Sequence, residues 1–163
     1  MKQPGKTIPL IEKVKIQAQA LVPLVKALQE ELGEERANAL VRKALGEQFR
    51  RFGEEWWHKQ GERTLGEKMA RAFDTFAAGD ALDYQVVKQD AEAYDVNVTG
   101  CRYAEFYKAL GAPELGFLLV CSGDFALAEG YDGVKLTRTQ TIMQGASHCD
   151  FRYALAQNQK DKG

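Results

Sequence analysis

The order of apolar and polar positions divides the chain into a helical first half and a mixed second half. From Pro9 to Leu32, apolar residues stand at Leu10, Ile11, Val14, Ile16, Ala18, Leu21, Val22, Leu24, Val25 and Leu28. Steps of three and four dominate, which predicts an amphipathic helix. Pro23 lies inside it and is expected to kink or divide it. Gly33 fits its C-terminal cap. A second helix follows, with Ala37, Leu40, Val41, Ala44 and Leu45 on the buried stripe and Arg36, Arg42, Lys43 and Glu47 in water. Residues 48–60 either continue that helix or begin another, and Gly61 ends it. A further helix is predicted from Leu65 to Ala78, stopping at Gly79-Asp80.

After residue 80 the period changes to two. Leu82, Tyr84 and Val86 alternate with Asp83 and Gln85, and Tyr94, Val96 and Val98 alternate with Asp95, Asn97 and Thr99. These read as half-buried strands joined by a polar turn over 88–92. Two short helices are expected next, Tyr103 to Leu110 and Glu114 to about Ser122, the second opened by Pro113. Strands over Val134–Met143 and Cys149–Ala156, linked through Gln144–His148, close the pattern. The predicted class is α+β: an N-terminal helical block packed on a small antiparallel sheet of about four strands with a C-terminal hairpin. A length of 163 residues suits one domain, mostly helical over 1–78, α+β over 79–156, with a polar tail at 157–163.

Charge balance narrows the function. Lys and Arg total 22 against 23 Asp and Glu, without the basic excess of a general nucleic-acid binder. The longest apolar run, Gly116 to Cys121, is far short of the ~20 residues of a membrane span. The amino terminus has no apolar signal core, and three cysteines form no disulfide framework. A cytoplasmic protein with reduced thiols is expected.

Residues able to carry chemistry gather after position 100. In the strand beginning at Val134, the face carrying Val134, Leu136 and Ile142 also carries Arg138 and Gln140. A guanidinium on a buried face needs an anionic partner. That partner is either a ligand carboxylate or a structural acid: Asp124, Glu129 or Asp150. In the last strand Cys149, Phe151 and Tyr153 share one face, while Asp150 and Arg152 take the other. His148, Cys149 and Asp150 therefore cannot form a triad among themselves. Cys121 and Asp124 stand three apart and share a face if one helix carries both; Asp124 also suits an N-cap before Phe125–Ala128. Cys101, Cys121 and Cys149 are 20 and 28 positions apart, with no paired-ligand motif. A site holding zinc or another divalent metal would have to be assembled in space, with His148 or Asp124 as fourth ligand; the primary expectation is no cofactor. Phe49, Phe52, Trp56 and Trp57 read as core or as an apolar face for self-association, and Trp57 as a wall for a ligand pocket.

Several segments occur in one order: Cys101-Arg102-Tyr103-Ala104-Glu105-Phe106-Tyr107, Cys121-Ser122-Gly123-Asp124-Phe125, Arg138-Thr139-Gln140-Thr141-Ile142, Gly145, and Cys149-Asp150-Phe151-Arg152. Over roughly residues 80–156 the series resembles the L-2-amino-thiazoline-4-carboxylic acid hydrolase family. The resemblance implies a cytoplasmic bacterial hydrolase that opens a small cyclic amidine or related C–N bond, as in conversion of 2-aminothiazoline-4-carboxylate to N-carbamoyl-cysteine. Fitted to that chemistry, Cys149 is the first candidate nucleophile and Cys121 the second. Asp124 would hold the amidinium, and His148 would act as acid or base. Arg138, with Gln140 and Arg152, would take the substrate carboxylate. A metal held by Cys101, Cys121 and Cys149 is the alternative agent, and a non-catalytic small-carboxylate-binding or sensory module the alternative function.

Overall fold

A computed structural model describes residues 7–157. The export-signal reading of the first six residues and nearly all of the predicted polar tail fall outside the described residues. The helical period of the first third forms two long antiparallel helices, α1 (Leu10–Leu32) and α2 (Glu34–Lys59). They meet at Gly33, whose φ of +82° favours glycine. Pro23 does not divide α1. Its missing N–H costs one helical bond, while Ile11, Ala18 and Val25 stay buried on one stripe either side of it. Residues 48–59 continue α2. Helix α3 (Leu65–Ala77) starts at a capping box: the Glu67 N–H donates to the Thr64 hydroxyl (3.3 Å) and the Thr64 N–H to the Glu67 carboxylate (2.8 Å).

The strands are β1 (Leu82–Gln89), β2 (Ala93–Cys101), β3 (Val134–Thr137) and β4 (Cys149–Leu155), all antiparallel in the order β1-β2-β4-β3. The β1–β2 turn is held by the Asp90 carboxylate, which accepts the N–H groups of Glu92 (2.9 Å) and Ala93 (2.8 Å). Register pairs Val98 with Cys149, Val96 with Phe151 and Tyr94 with Tyr153 on the inner face, and Asn97 with Asp150 and Asp95 with Arg152 on the outer face. Between β2 and β3 run α4 (Arg102–Ala109), α5 (Pro113–Gly116), a π turn (Phe117–Cys121) and α6 (Gly123–Glu129). The observed class is the expected one, helices packed on a four-stranded antiparallel sheet. Among the described residues no helix is long and apolar enough to cross a membrane.

Two predicted elements differ. The helix expected over 114–122 becomes α5 and the π turn, where the Ser122 N–H reaches back to the Phe117 carbonyl at 2.8 Å. The strand expected over 134–143 ends at Thr137. There the Asp150 carboxylate accepts the N–H groups of Thr139 (2.8 Å) and Gln140 (3.0 Å) and the Thr139 hydroxyl (2.5 Å). These bonds take the place of a sheet ladder, so the chain leaves the sheet and strict alternation stops at that point.

Buried side chains form two clusters. One, with Ile11, Val25, Tyr107 and Leu115, joins α1, α4 and α5; the other, with Phe73, Tyr94, Val96 and Tyr153, joins α3 to the sheet. Helix α6 is pressed onto α2 where both lack side chains. A Cβ on Gly53 would lie 2.1 Å from the Leu127 carbonyl oxygen, and one on Gly130 would lie 2.2 Å from the Arg50 carbonyl oxygen. Backbone cannot yield as a flexible side chain does. Gly53→Ala is therefore expected to destabilise the fold by ~3 kcal/mol, read as a lower urea midpoint at unchanged slope; a midpoint equal to wild type would contradict this packing.

Candidate functional site

Where the two clusters face each other they leave a cavity of about 650 Å³. Its floor is the inner face of β2 and β4, presenting Val98, Cys149 and Phe151. Its sides are α1 (Leu10, Val14, Leu21), α2 (Leu45, Phe49, Phe52), α3 (Phe73, Phe76) and α4 (Tyr103, Tyr107). Gln17 and Ala20 of α1 and Gln48 and Phe52 of α2 both line the cavity and are exposed, and so define a mouth between the two helices.

The charged groups of the lining, Asp124 and Arg138, lie at the inner end. Arg138, with only 3 % of its side chain exposed, donates from Nη1 to Asp124 Oδ2 at 2.6 Å and to the Cys121 carbonyl at 3.0 Å. Its guanidinium also lies over the rings of Phe125 (4.9 Å) and Phe151 (5.4 Å). Of the structural partners open to Arg138 from sequence, Asp124 is the one it meets. Asp124 sits in the first turn of α6 without capping it; the residue before the helix is Ser122, and no side chain caps that end. Asp124 keeps 28 % of its side chain accessible. That surface faces an apolar-walled cavity, so loss of hydration still outweighs the pull of Arg138 and pushes the carboxyl up to about 6.

All three free cysteines line the same cavity. The Cys101 sulfur accepts the Ala104 N–H (3.4 Å) at the start of α4, and the Cys149 sulfur accepts the Ile142 N–H (3.3 Å). Burial raises each thiol: Cys149 to about 11, Cys121 well above the ordinary range, Cys101 upward as well, with the nearby Asp124 charge adding to each. The unliganded site therefore holds thiols, not thiolates. Although they share a cavity, no group of three or more His, Cys, Asp or Glu among the described residues is arranged to hold a metal ion. The residues present do not fit the three-cysteine centre.

Three expected site residues lie elsewhere. Past the break at Thr137, Gln140 turns away and its Nε2 donates to the His148 carbonyl at 3.0 Å. His148 sits against Ser147 (Nδ1 to Oγ 2.9 Å) on the outer side and does not line the cavity. Arg152 projects from the outer sheet face, donating to Asn97 Oδ1 (2.8 Å) and to the Val96 and Phe151 carbonyls. Trp57 is no cavity wall either: it is buried against Tyr131 (centroids 5.1 Å), with the Lys68 ammonium over it at 4.0 Å. Conversely, Tyr103, Tyr107, Thr141 and the α1 and α3 residues line the cavity without having been assigned a site role from the sequence. Their apolar periodicity marks them as buried, but periodicity does not separate core from cavity wall.

Fold and cavity together define an α+β protein with a deep, mainly apolar chamber closed by one ion pair. The chain belongs to the L-2-amino-thiazoline-4-carboxylic acid hydrolase family, whose model matches residues 13–153 and so takes in the helical half as well. No curated protein matches it. Among solved structures it is similar to the phenol-responsive sensory domain of the transcription activator PoxR with phenol, at 13% identity and TM-score 0.54, covering 83% of this chain and 73% of that one. It is also similar to a trafficking protein particle complex subunit 3 from Naegleria fowleri covalently bound to palmitic acid, at 15% identity and TM-score 0.49, covering 86% and 96%.

The raised Asp124 carboxyl has a consequence for stability. Its folded value, about 6, lies above its unfolded value near 3.8, so the folded chain binds this proton more tightly. The resulting contribution is fully present below about pH 4 and is lost as pH rises through about 6. In urea titrations from pH 4 to 7, Asp124→Asn is expected to flatten that part of the stability profile. An unchanged slope would show that Asp124 is not the group responsible.

Proposed function

We propose that the chain is a hydrolase that opens a cyclic amidine at the inner end of the cavity. The observation carrying this reading is that the Asp124–Arg138 pair and the Cys149 thiol line one cavity, in a chain of this family. An amidinium bearing a carboxylate has one group for each member of the pair. Asp124 binds the cationic end and Arg138 the anionic end, replacing one internal ion pair with two to the substrate. With His148 outside the cavity, Asp124 is the group suited to act as base, since a carboxyl near 6 is matched to work close to neutrality.

In the reaction proposed, the Cys149 proton passes to Asp124 as its sulfur adds to the amidine carbon. The ring carbon–sulfur bond breaks, and the departing sulfur takes that proton. A carbon–sulfur bond then links substrate and enzyme. Water adds to the same carbon, the enzyme bond breaks, and the Cys149 sulfur is reprotonated through Asp124. One water is consumed and a carbamoyl product with a free thiol leaves. Cys121 is the second candidate for the nucleophile. Arg152 and Gln140 have no part in this scheme.

A second reading, a sensory or binding module, is favoured by the unactivated thiols and the apolar walls. The PoxR domain sharing this fold is phenol-responsive. Assays with 2-aminothiazoline-4-carboxylate, following thiol release, separate the two. Turnover is expected, rising with pH through about 6 as Asp124 ionises, and falling ~10²–10⁴-fold in Asp124→Asn and Cys149→Ser. Full activity in Cys149→Ser would remove that thiol from the mechanism. Tight binding of small cyclic amidines without any product would favour the module.

A further inference from the structure

A single small ring with a carboxylate occupies only the inner end of this cavity. The remainder, bounded by Val14, Leu21, Leu45, Phe49, Phe73 and Phe76, is apolar and runs toward the mouth at Gln17, Gln48 and Phe52. Interiors are normally packed to crystal-like density, and a void of about 650 Å³ falls within the ~300–1,000 Å³ of chambers that enclose whole organic ligands. Water fills such a space poorly, because each molecule wants two to four polar partners. Along this part polar groups are few: Gln17 and Gln48 at the mouth, and the hydroxyls of Tyr103 and Tyr107, the first of which already donates to the Phe76 carbonyl (2.9 Å).

Building on the reading of the inner end given above, we propose that the natural ligand is an amphiphile. Its carboxylate or amidine head meets Arg138 and Asp124, and a bulky alkyl or aryl body fills the chamber between α1, α2 and α3. Apolar contact along the body supplies the affinity, and the ion pair supplies orientation. The mouth between α1 and α2 is on the apolar side, so the ligand enters head first and its far end is the last part to leave water.

The test uses the intact protein and a homologous series of straight-chain carboxylates from acetate to decanoate, titrated by calorimetry. Binding is expected to tighten roughly fourfold per added methylene, the equivalent of ~0.8 kcal/mol for each buried CH₂, until the chamber is full. Val14→Trp, which projects bulk into the chamber away from the ion pair, is expected to shorten the series at which tightening stops while acetate binding is unchanged. The wild-type series stands without that variant if it fails to fold. Equal affinity for acetate and decanoate, or no binding by any member, would overturn the proposal. The outcomes separate it from the hydrolase reading. Chain-length dependence without hydrolysis of any amidine sinks only the hydrolase; turnover of the small ring with no gain from an apolar body sinks only the amphiphile.

Discussion

Much of this architecture is organised around one contact, the Arg138–Asp124 ion pair at the closed end of the cavity. It joins three pieces of chain that have little else in common: the first turn of α6, the segment leaving β3, and the π turn, whose Cys121 carbonyl takes a second bond from the same guanidinium nitrogen. Phe125 and Phe151 flank the cation, one from α6 and one from the sheet. Such a pair is a poor source of net stability, because the cost of drying both charges cancels much of their attraction. What it supplies is position. Without Arg138, Asp124 would face the apolar wall with no cation beside it, and burial would push its carboxyl further upward.

Beside the pair the local backbone is irregular. An uninterrupted helix over 114–122 would commit the Phe117 carbonyl to Cys121. The wider π turn instead closes it on Ser122, and the neighbouring Cys121 carbonyl accepts from Arg138. Likewise a full strand over 134–143 would keep Arg138 and Gln140 on one face. Asp150 captures the N–H groups of Thr139 and Gln140, ends the ladder, and separates them. Burial alone would raise the Asp150 carboxyl, but the hydrogen bonds from the Thr139 hydroxyl and these backbone groups hold it below the usual range. It therefore stays an acceptor at neutral pH.

The regular elements were legible in the amino-acid pattern because their burial is one-sided. Period 3.6 marked α1 to α3, and period 2 marked the inner faces of β2 and β4, including Cys149 beside Phe151 and Tyr153. Arg138 was legible as an inward cation for the same reason. Gln140 and His148 were not, since their placement depends on bonds made by Asp150 and by each other across a turn. Phe49 and Phe52 show a different gap. Both sit in an aromatic stretch of α2, yet they line a cavity while neighbouring Trp57 is packed solid against Tyr131. The distinction is set by where α1 runs relative to α2, and no local pattern encodes it.

The unliganded site is not poised for thiolate chemistry, and the size of the mismatch is informative. Cys149 near 11 and Asp124 near 6 differ by about five pKa units, so moving the proton from thiol to carboxylate costs roughly 7 kcal/mol. A turnover of ~10 s⁻¹ corresponds to a barrier of ~16 kcal/mol, which would leave about 9 for bond making and breaking. A bound amidinium changes this balance in the favourable direction. Its positive charge beside Cys149 stabilises a thiolate, as the Arg138 charge already does in part. The apolar walls that raise the thiol also strengthen that attraction by excluding water. In the proposed reaction the ligand is thus part of the catalytic electrostatics, and a neutral ligand of the same shape would occupy the chamber without activating the thiol.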